Sequence, residues 1–239
     1  MHRGCAGPDA TPTARGWRQP TALPSADVLV LALDTATPTL VAGLAEWSRR
    51  GVTEILAERA VPSGTRHAEL LTPAIAGVLD DAGLAMGDLD AVVTGLGPGP
   101  FTGLRVGVVT AAALADARGL PVIGVCSLDA IGSGARTVVT DARRKEIYWA
   151  TYAADGSRLT GPSVDKPADV TLPEPVVGDP AFAERLGTPV APADVTTAGL
   201  LRAAAAQLAD PSSAGPLVPM YLRRPDATPP ATIKAVTQA

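Results

Sequence analysis

The sequence predicts an α/β fold built from two related lobes, and two observations carry this prediction. An apolar strand, an aspartate, a turn and a second strand follow one another twice, first in LALDTATPTLVAGLA and again in TVVTDARRKEIYWATYA. Between these copies, AVVTGLGPGPFTGLRVGVVTAAALADARG has the pattern of a buried strand, a loop rich in glycine and proline, and a helix. Repetition of a whole supersecondary unit indicates duplication, so each hairpin is expected to begin one lobe.

The composition limits the classes of function. With 239 residues the chain can bury a sizeable core, and its net charge of −4 does not favour nucleic-acid binding over the whole surface. Any contact with RNA is therefore expected to be local or supplied by a partner. Cys5 and Cys126 form no disulfide framework. No apolar run approaches the ~20 residues that span a bilayer, and the start lacks the apolar segment of a signal peptide. We expect a cytoplasmic protein that does not enter a membrane.

Apolar runs and helical periodicity define the elements in order. The first 27 residues have no periodic pattern and are predicted to be a disordered tail, followed by an N-terminal lobe over 28–133, a C-terminal lobe over 134–226 and a frayed tail over 227–239. Predicted strands are 28–33, 40–45, 55–60, 89–94, 122–125, 137–140 and 147–153. Predicted helices are 67–82, 102–118 and 197–208. Between 160 and 192 prolines are frequent and the pattern is weak.

The glycine-rich loop is the first candidate site. Glycine permits close backbone approach, and Thr102 is predicted to cap the following helix, whose first N–H groups could bind an anion. Arg105 in the first helical turn opposes the helix dipole and suggests an anionic partner. Neither a dinucleotide fingerprint nor a P-loop is present. A plain strand-to-helix connection is the alternative.

Two hairpin tips carry the remaining charged candidates. Asp34 could orient a phosphate-bound metal or water, although aspartate is also an ordinary turn former. Asp141 repeats this position in the second copy and supports the duplication more than a chemical role. The run of Arg143, Arg144 and Lys145 could meet RNA or an acidic partner, or could simply be a solvated tip.

Histidine is too scarce for most catalytic designs. Only His2 and His67 are present, and His2 lies in the predicted tail, so a metal site with two histidines cannot be assembled in the fold. A nucleophile–base–acid triad would need His67 as its base, and no serine or cysteine lies in a nucleophile motif. His67 could otherwise bind an anion, or be a capping or surface residue. We predict no catalytic residues and no metal site.

Six segments resemble one known family. In order from Val28 to about Ala227, they are LALDTATP, HAELLTPAI, GLGPGPFTGLRVG, GLPVIGVCSLDAI, TDARRKEIYWA and PMYLRRPDA. Together they are similar to the TsaB (YeaZ) family, and GPGPFTGLRVG is the most specific of them. The resemblance implies the two-lobed actin-like fold (ASKHA, ribonuclease H-like) that actin shares with sugar kinases and heat-shock chaperones. It also implies a subunit of the machinery that makes threonylcarbamoyladenosine beside the anticodon of tRNAs reading codons that begin with A.

The resemblance further implies a supporting role. The catalytic relative TsaD has a His-x-x-x-His metal pair after its own VIGV strand, where this chain has Ser127 and Ile131. The expected partners are TsaD and the ATPase TsaE, with a homodimer when the chain is alone and tRNA contacted only through the complex. Nucleotide-binding relatives have Asp-x-Gly-Thr where this chain has Asp34, Thr35, Ala36 and Thr37. No cofactor is therefore expected for the isolated chain, with ATP or ADP at an interface with partner subunits as the alternative. The candidate phosphate-contacting residues are Asp34, Thr35, Gly97, Gly99, Thr102, Gly103 and Arg105.

The helix after the loop supplies a candidate interface. From Val106 to Ala115 it carries no charge, which is typical of a helix covered on all sides. One face, with Leu104, Val108, Ala111 and Ala115, is assigned to the sheet. The predicted partner surface comprises Leu71, Ile75, Val78, Val106, Val109, Thr110, Ala113 and Ala117. It would dock helices of TsaD or of a second copy, unless the C-terminal helix of the chain covers it.

Two other functions stay open. A small-molecule kinase of the same fold would act through Asp34 or Asp141, and ATP turnover by the isolated chain would favour it. A metal-independent, peptidase-like protein is the second alternative.

Overall fold

The described part of the chain forms two five-stranded sheets with one shared topology. A computed structural model of the protein describes Leu23 and residues 27–223. In each sheet the first three strands form an antiparallel meander, and the last two run parallel to the first. The repeated hairpin seen in the sequence is thus the start of a repeated five-strand unit. The predicted tails, 1–27 and 227–239, lie outside the described residues except for Leu23 and Asp27.

The first sheet has the order β3-β2-β1-β4-β5. Its strands are β1 (Val28–Asp34), β2 (Thr39–Ser48), β3 (Gly51–Pro62), β4 (Ala91–Gly95) and β5 (Val122–Val125). The third strand is longer at both ends than the predicted 55–60. Strand β5 has the predicted bounds.

The second sheet has the order β10-β9-β6-β7-β8. Its strands are β6 (Arg136–Asp141), β7 (Ile147–Tyr152), β8 (Arg158–Asp165), β9 (Val176–Gly178) and β10 (Val190–Pro192). The last three lie mostly in the stretch whose pattern was too weak to predict strands. β9 and β10 have only three residues each, too few to show an alternation.

Five α-helices complete the described fold. They are α1 (His67–Ala82), α2 (Phe101–Arg118), α3 (Ala183–Leu186), α4 (Thr197–Ala203) and α5 (Ala205–Ala209). Helix α1 has the predicted bounds and ends at Gly83, which adopts φ +66°. The single helix predicted over 197–208 is divided into α4 and α5 at Ala204, where the N–H still donates to the Leu200 carbonyl at 3.0 Å.

Alternate residues of the strands enter two different cores. In β1, Leu31 and Leu33 pack with α1 and α2, whereas Val30 and Ala32 face the other way. The second core holds residues of both sheets together with α4 and α5, among them Ala150 of β7 and Leu200 of α4. Burial on both faces explains why β1 reads as an unbroken apolar run.

Helix α4 lies on the first sheet, although it follows the second sheet in the chain. Helix α4 packs against β1, β2, β3 and β4, on the face opposite α1 and α2. This arrangement answers one question left open by the sequence, because a helix on the opposite face does not cover the outer side of α2. The proposed lobe limits, 28–133 and 134–226, stay a prediction.

Candidate functional site

The tip of the first hairpin is packed into the glycine-rich loop. The Thr35 hydroxyl donates a hydrogen bond of 2.8 Å to the carbonyl of Gly103, and both residues are buried. A Cβ atom at Gly103 would lie 2.7 Å from the carbonyl oxygen of Thr35, and one at Gly107 would lie 2.3 Å from Thr35 Oγ1. Since side chains do not approach so closely, both glycines are needed for the hairpin to reach the helix.

The centre of the loop accommodates Ala36 in the same way. A Cβ at Gly99 would lie 2.4 Å from the Ala36 carbonyl oxygen. Gly97 adopts φ +96°, in the region that favours glycine. The room that the sequence suggested for an anion is thus taken, at these positions, by the backbone of the chain itself.

Asp34 lies at the bottom of this arrangement and is fully buried. Its Oδ1 accepts a hydrogen bond of 2.8 Å from the Ala36 N–H, and its Oδ2 accepts one of 2.5 Å from the Ser127 hydroxyl. Ser127 Oγ in turn accepts from the N–H of Gly97 at 3.1 Å. A Cβ at Gly95 would come within 1.7 Å of Asp34 Oδ2. Both carboxylate oxygens are therefore engaged and closed off from solvent.

Burial changes the acidity of Asp34. Loss of hydration disfavours the charged form and raises the pKa of the carboxyl from 3.8 to about 6. The hydrogen bonds from Ser127 and Ala36 and the charge of His67 act in the opposite direction and limit the rise in pKa. The side chain holds the hairpin to the segment after β5.

His67 also holds the hairpin in place, and it is a buried residue rather than a surface residue. Its ring is buried, and Nε2 lies 2.9 Å from the carbonyl oxygen of Thr37. A carbonyl only accepts hydrogen bonds, so this nitrogen is assigned as the donor. The N-cap of α1 is Arg66, and no side chain forms a capping hydrogen bond there. The capping role considered for His67 is therefore also wrong.

Two of the candidate anion-binding residues, Thr102 and Arg105, lie outside this arrangement. The N-cap of α2 is Pro100, and exposed Thr102 lies within the first turn, so its predicted capping role is wrong. The helix starts earlier because extended Pro100 already accepts the first helical bond, from the N–H of Leu104. Exposed Arg105 packs its guanidinium 3.9 Å from the centre of the Phe101 ring. The structure therefore brings together Asp34, Thr35, Gly97, Gly99 and Gly103, and leaves Thr102 and Arg105 outside.

Sequence reasoning missed an aromatic cluster at the start of α2. Phe101 and Tyr221 are 48% and 40% exposed, and their ring centroids are 4.9 Å apart. The Nε of Arg105 donates to the Tyr221 hydroxyl at 3.3 Å. The spacing of Phe101 and Arg105, one helical turn apart, could have indicated a pair. Tyr221 is too distant in sequence to give a local signal.

The outer face of α2 is open in the monomer. Leu104, Val108, Ala111 and Ala115 are buried against the sheet, as predicted. On the other side Val109 is 64% exposed, Ala113 and Ala117 are exposed, and Val106 and Thr110 are half-buried. We call these five residues the α2 face.

The three α1 residues assigned to the partner surface lie in the core. Leu71, Ile75 and Val78 pack in the cluster between α1, α2 and the first sheet. A buried side chain cannot contact a second molecule, so this part of the predicted surface is corrected. The outward side of α1 carries small and acidic residues instead, among them Ala68, Glu69 and Ala76.

Two negative findings apply to the described residues. Among residues 27–223, no three His, Cys, Asp or Glu side chains come together as a set that could hold a metal ion. No helix in that range is long and apolar enough to cross a membrane.

Comparison with known proteins supplies the family. The model of the family TsaD, tRNA N6-adenosine threonylcarbamoyltransferase, matches residues 57–227. The chain belongs to this family. An uncharacterized protein of Mycobacterium tuberculosis is 53% identical over 207 residues, which are 84% of this chain and 94% of that protein.

Named relatives identify the chain with the TsaB (YeaZ) members of the family. It is 37% identical to the tRNA threonylcarbamoyladenosine biosynthesis protein TsaB of Escherichia coli over 97 residues, 37% of this chain and 42% of that protein. The solved structure of YeaZ from Pseudomonas aeruginosa superposes with a TM-score of 0.63 at 26% identity, covering 82% of this chain and all of that one. Together with the two sheets of equal topology, this likeness confirms the predicted actin-like fold.

Ser127 and Ile131 lie in the segment after β5 and are both buried. Ser127 and Ile131 are the residues that the resemblance aligns with the metal histidines of TsaD. Ser127 donates to Asp34, as described above, and Ile131 is buried in the shared core. Both side chains have structural roles in this chain.

Proposed function

We propose that this chain is a non-catalytic subunit that supports a TsaD-type catalytic subunit in making threonylcarbamoyladenosine in tRNA. The observation that carries the proposal is the α2 face, where the uncharged stretch of α2 from Val106 to Ala115 leaves Val109 at 64% exposure. A face of valine and alanine permits close approach of a second helix, and its exposure is unfavourable until a partner covers it. The modification itself, threonylcarbamoyladenosine in tRNA, is inferred from the name of the Escherichia coli relative.

The closed hairpin supports the absence of catalysis. An aspartate that binds a metal, or orients a phosphate-bound metal or water, needs a free carboxylate oxygen directed to it. Asp34 has both oxygens engaged by Ser127 and Ala36 and is closed off by Gly95. We therefore expect no turnover of ATP or tRNA by the isolated chain. Measurable ATP turnover would favour the kinase alternative.

The partners follow from the same proposal. The α2 face docks helices of the TsaD-type subunit, and in its absence pairs with a second copy of this chain. Phe101 and Tyr221 extend the surface at the start of the helix. A TsaE-type ATPase completes the assembly, tRNA is held by the complex as a whole, and any ATP or ADP lies at an interface between subunits.

Ala113→Arg tests the interface directly. Ala113 is exposed, with Val109 and Ala117 one turn away on either side, so an arginine is tolerated in the monomer. In the complex its charge would be buried without a partner, which should cost several kcal/mol. Calorimetry should show binding to the TsaD-type subunit weakened at least about a hundredfold (about 2.7 kcal/mol), with native circular dichroism.

The matched control is Ala206→Arg, the same change at an exposed position of α5. Because α5 packs on the opposite side of the first sheet, this variant should bind the TsaD-type subunit like the wild type. Normal binding by Ala113→Arg, or equal loss in both variants, would refute the assignment of the interface.

A further inference from the structure

The tip of the second hairpin has an unusual backbone. Arg143, Arg144 and Lys145 adopt φ values of 62°, 52° and 67°, all in the left-handed region. Hairpin turns of this kind normally have glycine, asparagine or aspartate at such positions, because other L residues are strained there. Here three long basic side chains occupy them. Backbone strain of this sort is typical of functional sites, where the side chain matters more than the local energy.

Two acidic residues, Asp141 and Glu146, flank this tip in the hairpin. The Asp141 carboxylate accepts a hydrogen bond of 2.8 Å from the N–H of Arg143. Glu146 forms an ion pair with Arg223. Within residues 27–223, no ion pair involves the side chain of Arg143 or Lys145. The charges of Arg143 and Lys145 are therefore not paired with a carboxylate in this part of the chain.

A fourth cation comes from a separate element. Arg185 of α3 donates a hydrogen bond of 2.5 Å from Nη2 to the carbonyl oxygen of Lys145. This bond braces the strained turn and also adds another guanidinium beside it. Two elements that are 40 residues apart thus concentrate positive charge on a chain whose net charge is −4.

We propose that the basic tip, Arg143 to Lys145 together with Arg185, contacts the phosphate backbone of tRNA in the assembled complex. This inference rests on the proposed function. Arginine and lysine are the side chains that neutralise phosphates, and phosphate contacts orient a nucleic acid without reading its sequence. A chain that is acidic overall needs such a local patch to meet RNA.

The chemistry of the tip fits RNA better than a protein partner. Stable protein interfaces have an apolar or aromatic centre. None of the exposed large apolar side chains in the described part of the chain lies between 141 and 147 or on α3. A purely charged tip without an apolar centre is the composition expected for a phosphate contact.

The test uses the double variant Arg143→Asn, Lys145→Asn. Asparagine removes both charges and tolerates positive φ, so the variant should be at least as stable as the wild type. Affinity for an unmodified transcript of a tRNA that reads codons beginning with A is measured by fluorescence anisotropy across a salt series. The full chain is used in complex with its TsaD-type subunit, and also alone.

The expected result is a loss of at least about tenfold in affinity near 0.1 M salt. The slope of log Kd against log salt should also become shallower by about 1.4–1.8, about 0.7–0.9 for each lost phosphate contact. The matched control is Arg49→Asn, Arg50→Asn, which removes two exposed charges from the β2–β3 turn. This control should bind tRNA like the wild type.

The other outcomes overturn the proposal. Equal losses in both variants would mean an effect of net charge alone, and unchanged binding in the tip variant would mean no contact. Loss of binding to the TsaD-type subunit in place of tRNA would make the tip a protein contact. If the wild-type chain formed no complex, the proposed function would fail, and the titration of the chain alone would still decide whether the tip binds RNA.

Discussion

Asp34 shows at the scale of a single residue how a position suited to chemistry serves packing instead. Gly95 leaves room for its carboxylate and for the Ser127 hydroxyl, and the Ser127 hydroxyl and the Ala36 N–H engage its two oxygens. The consequence is a carboxyl whose pKa is raised to about 6 by burial.

The raised pKa has a defined effect on stability. The carboxyl has a pKa of 3.8 in the unfolded chain and about 6 in the folded one, so the folded state binds the proton more tightly. The buried charge therefore lowers the free energy of unfolding above pH 6, by about 3 kcal/mol at most. This cost disappears as the pH falls from about 6 towards 4.

Asp34→Asn removes the charge and keeps an acceptor for the Ala36 N–H. We expect the variant to be more stable than the wild type at pH 8, with the difference shrinking towards zero near pH 4. Urea unfolding at pH 8, 6 and 4.5 measures it. A variant that is less stable by the same amount at every pH would show that the hydrogen bonds to the carboxylate outweigh the cost of its burial.

At the scale of elements, the connection between the sheets depends on one arginine. Arg136, at the start of β6, is buried and donates to the carbonyls of Ile131 and Gly134 at 2.6 and 2.9 Å. Its guanidinium also lies 4.1 Å from the centre of the Tyr152 ring. The segment after β5 is thereby fixed to β7 of the second sheet.

Arg136→Ala should destabilise the protein by about 2–4 kcal/mol, because buried carbonyls lose their donors and Tyr152 loses its contact. The control is Arg158→Ala, which breaks an ion pair of 2.9 Å to Asp129. That pair is partly solvated, and its loss should cost about 1 kcal/mol or less. Both free energies come from urea unfolding at one pH. Equal costs would mean that Arg136 does not hold the connection.

The elements also show where sequence reasoning succeeds. Helix α1 and strand β5 have the predicted bounds, since periodicity, an apolar run and a terminal glycine define them locally. The prediction of which face of α2 is buried is also correct. The cluster of Phe101 with Tyr221 depends on a contact between distant segments, for which the sequence carries no local pattern.

At the scale of the whole molecule, the duplication was visible in the sequence but the packing of the units was not. Helix α4 follows the second sheet in the chain and yet covers a face of the first. The candidate site was predicted only in part for the same reason. The glycines of the loop indicate close approach of a backbone, and nothing in them specifies that the approaching group is Thr35 or Ala36 rather than a phosphate.

The central claim is that this chain supports catalysis by another subunit through the α2 face. The most direct measurement is the threonylcarbamoyladenosine content of tRNA, by mass spectrometry, after reaction with threonylcarbamoyl-AMP, the TsaD-type subunit and the TsaE-type ATPase. We predict modification only when this chain is added, none by the chain alone, and none with Ala113→Arg, while Ala206→Arg behaves like the wild type. Modified tRNA from the chain alone, or full modification with Ala113→Arg, would contradict the claim.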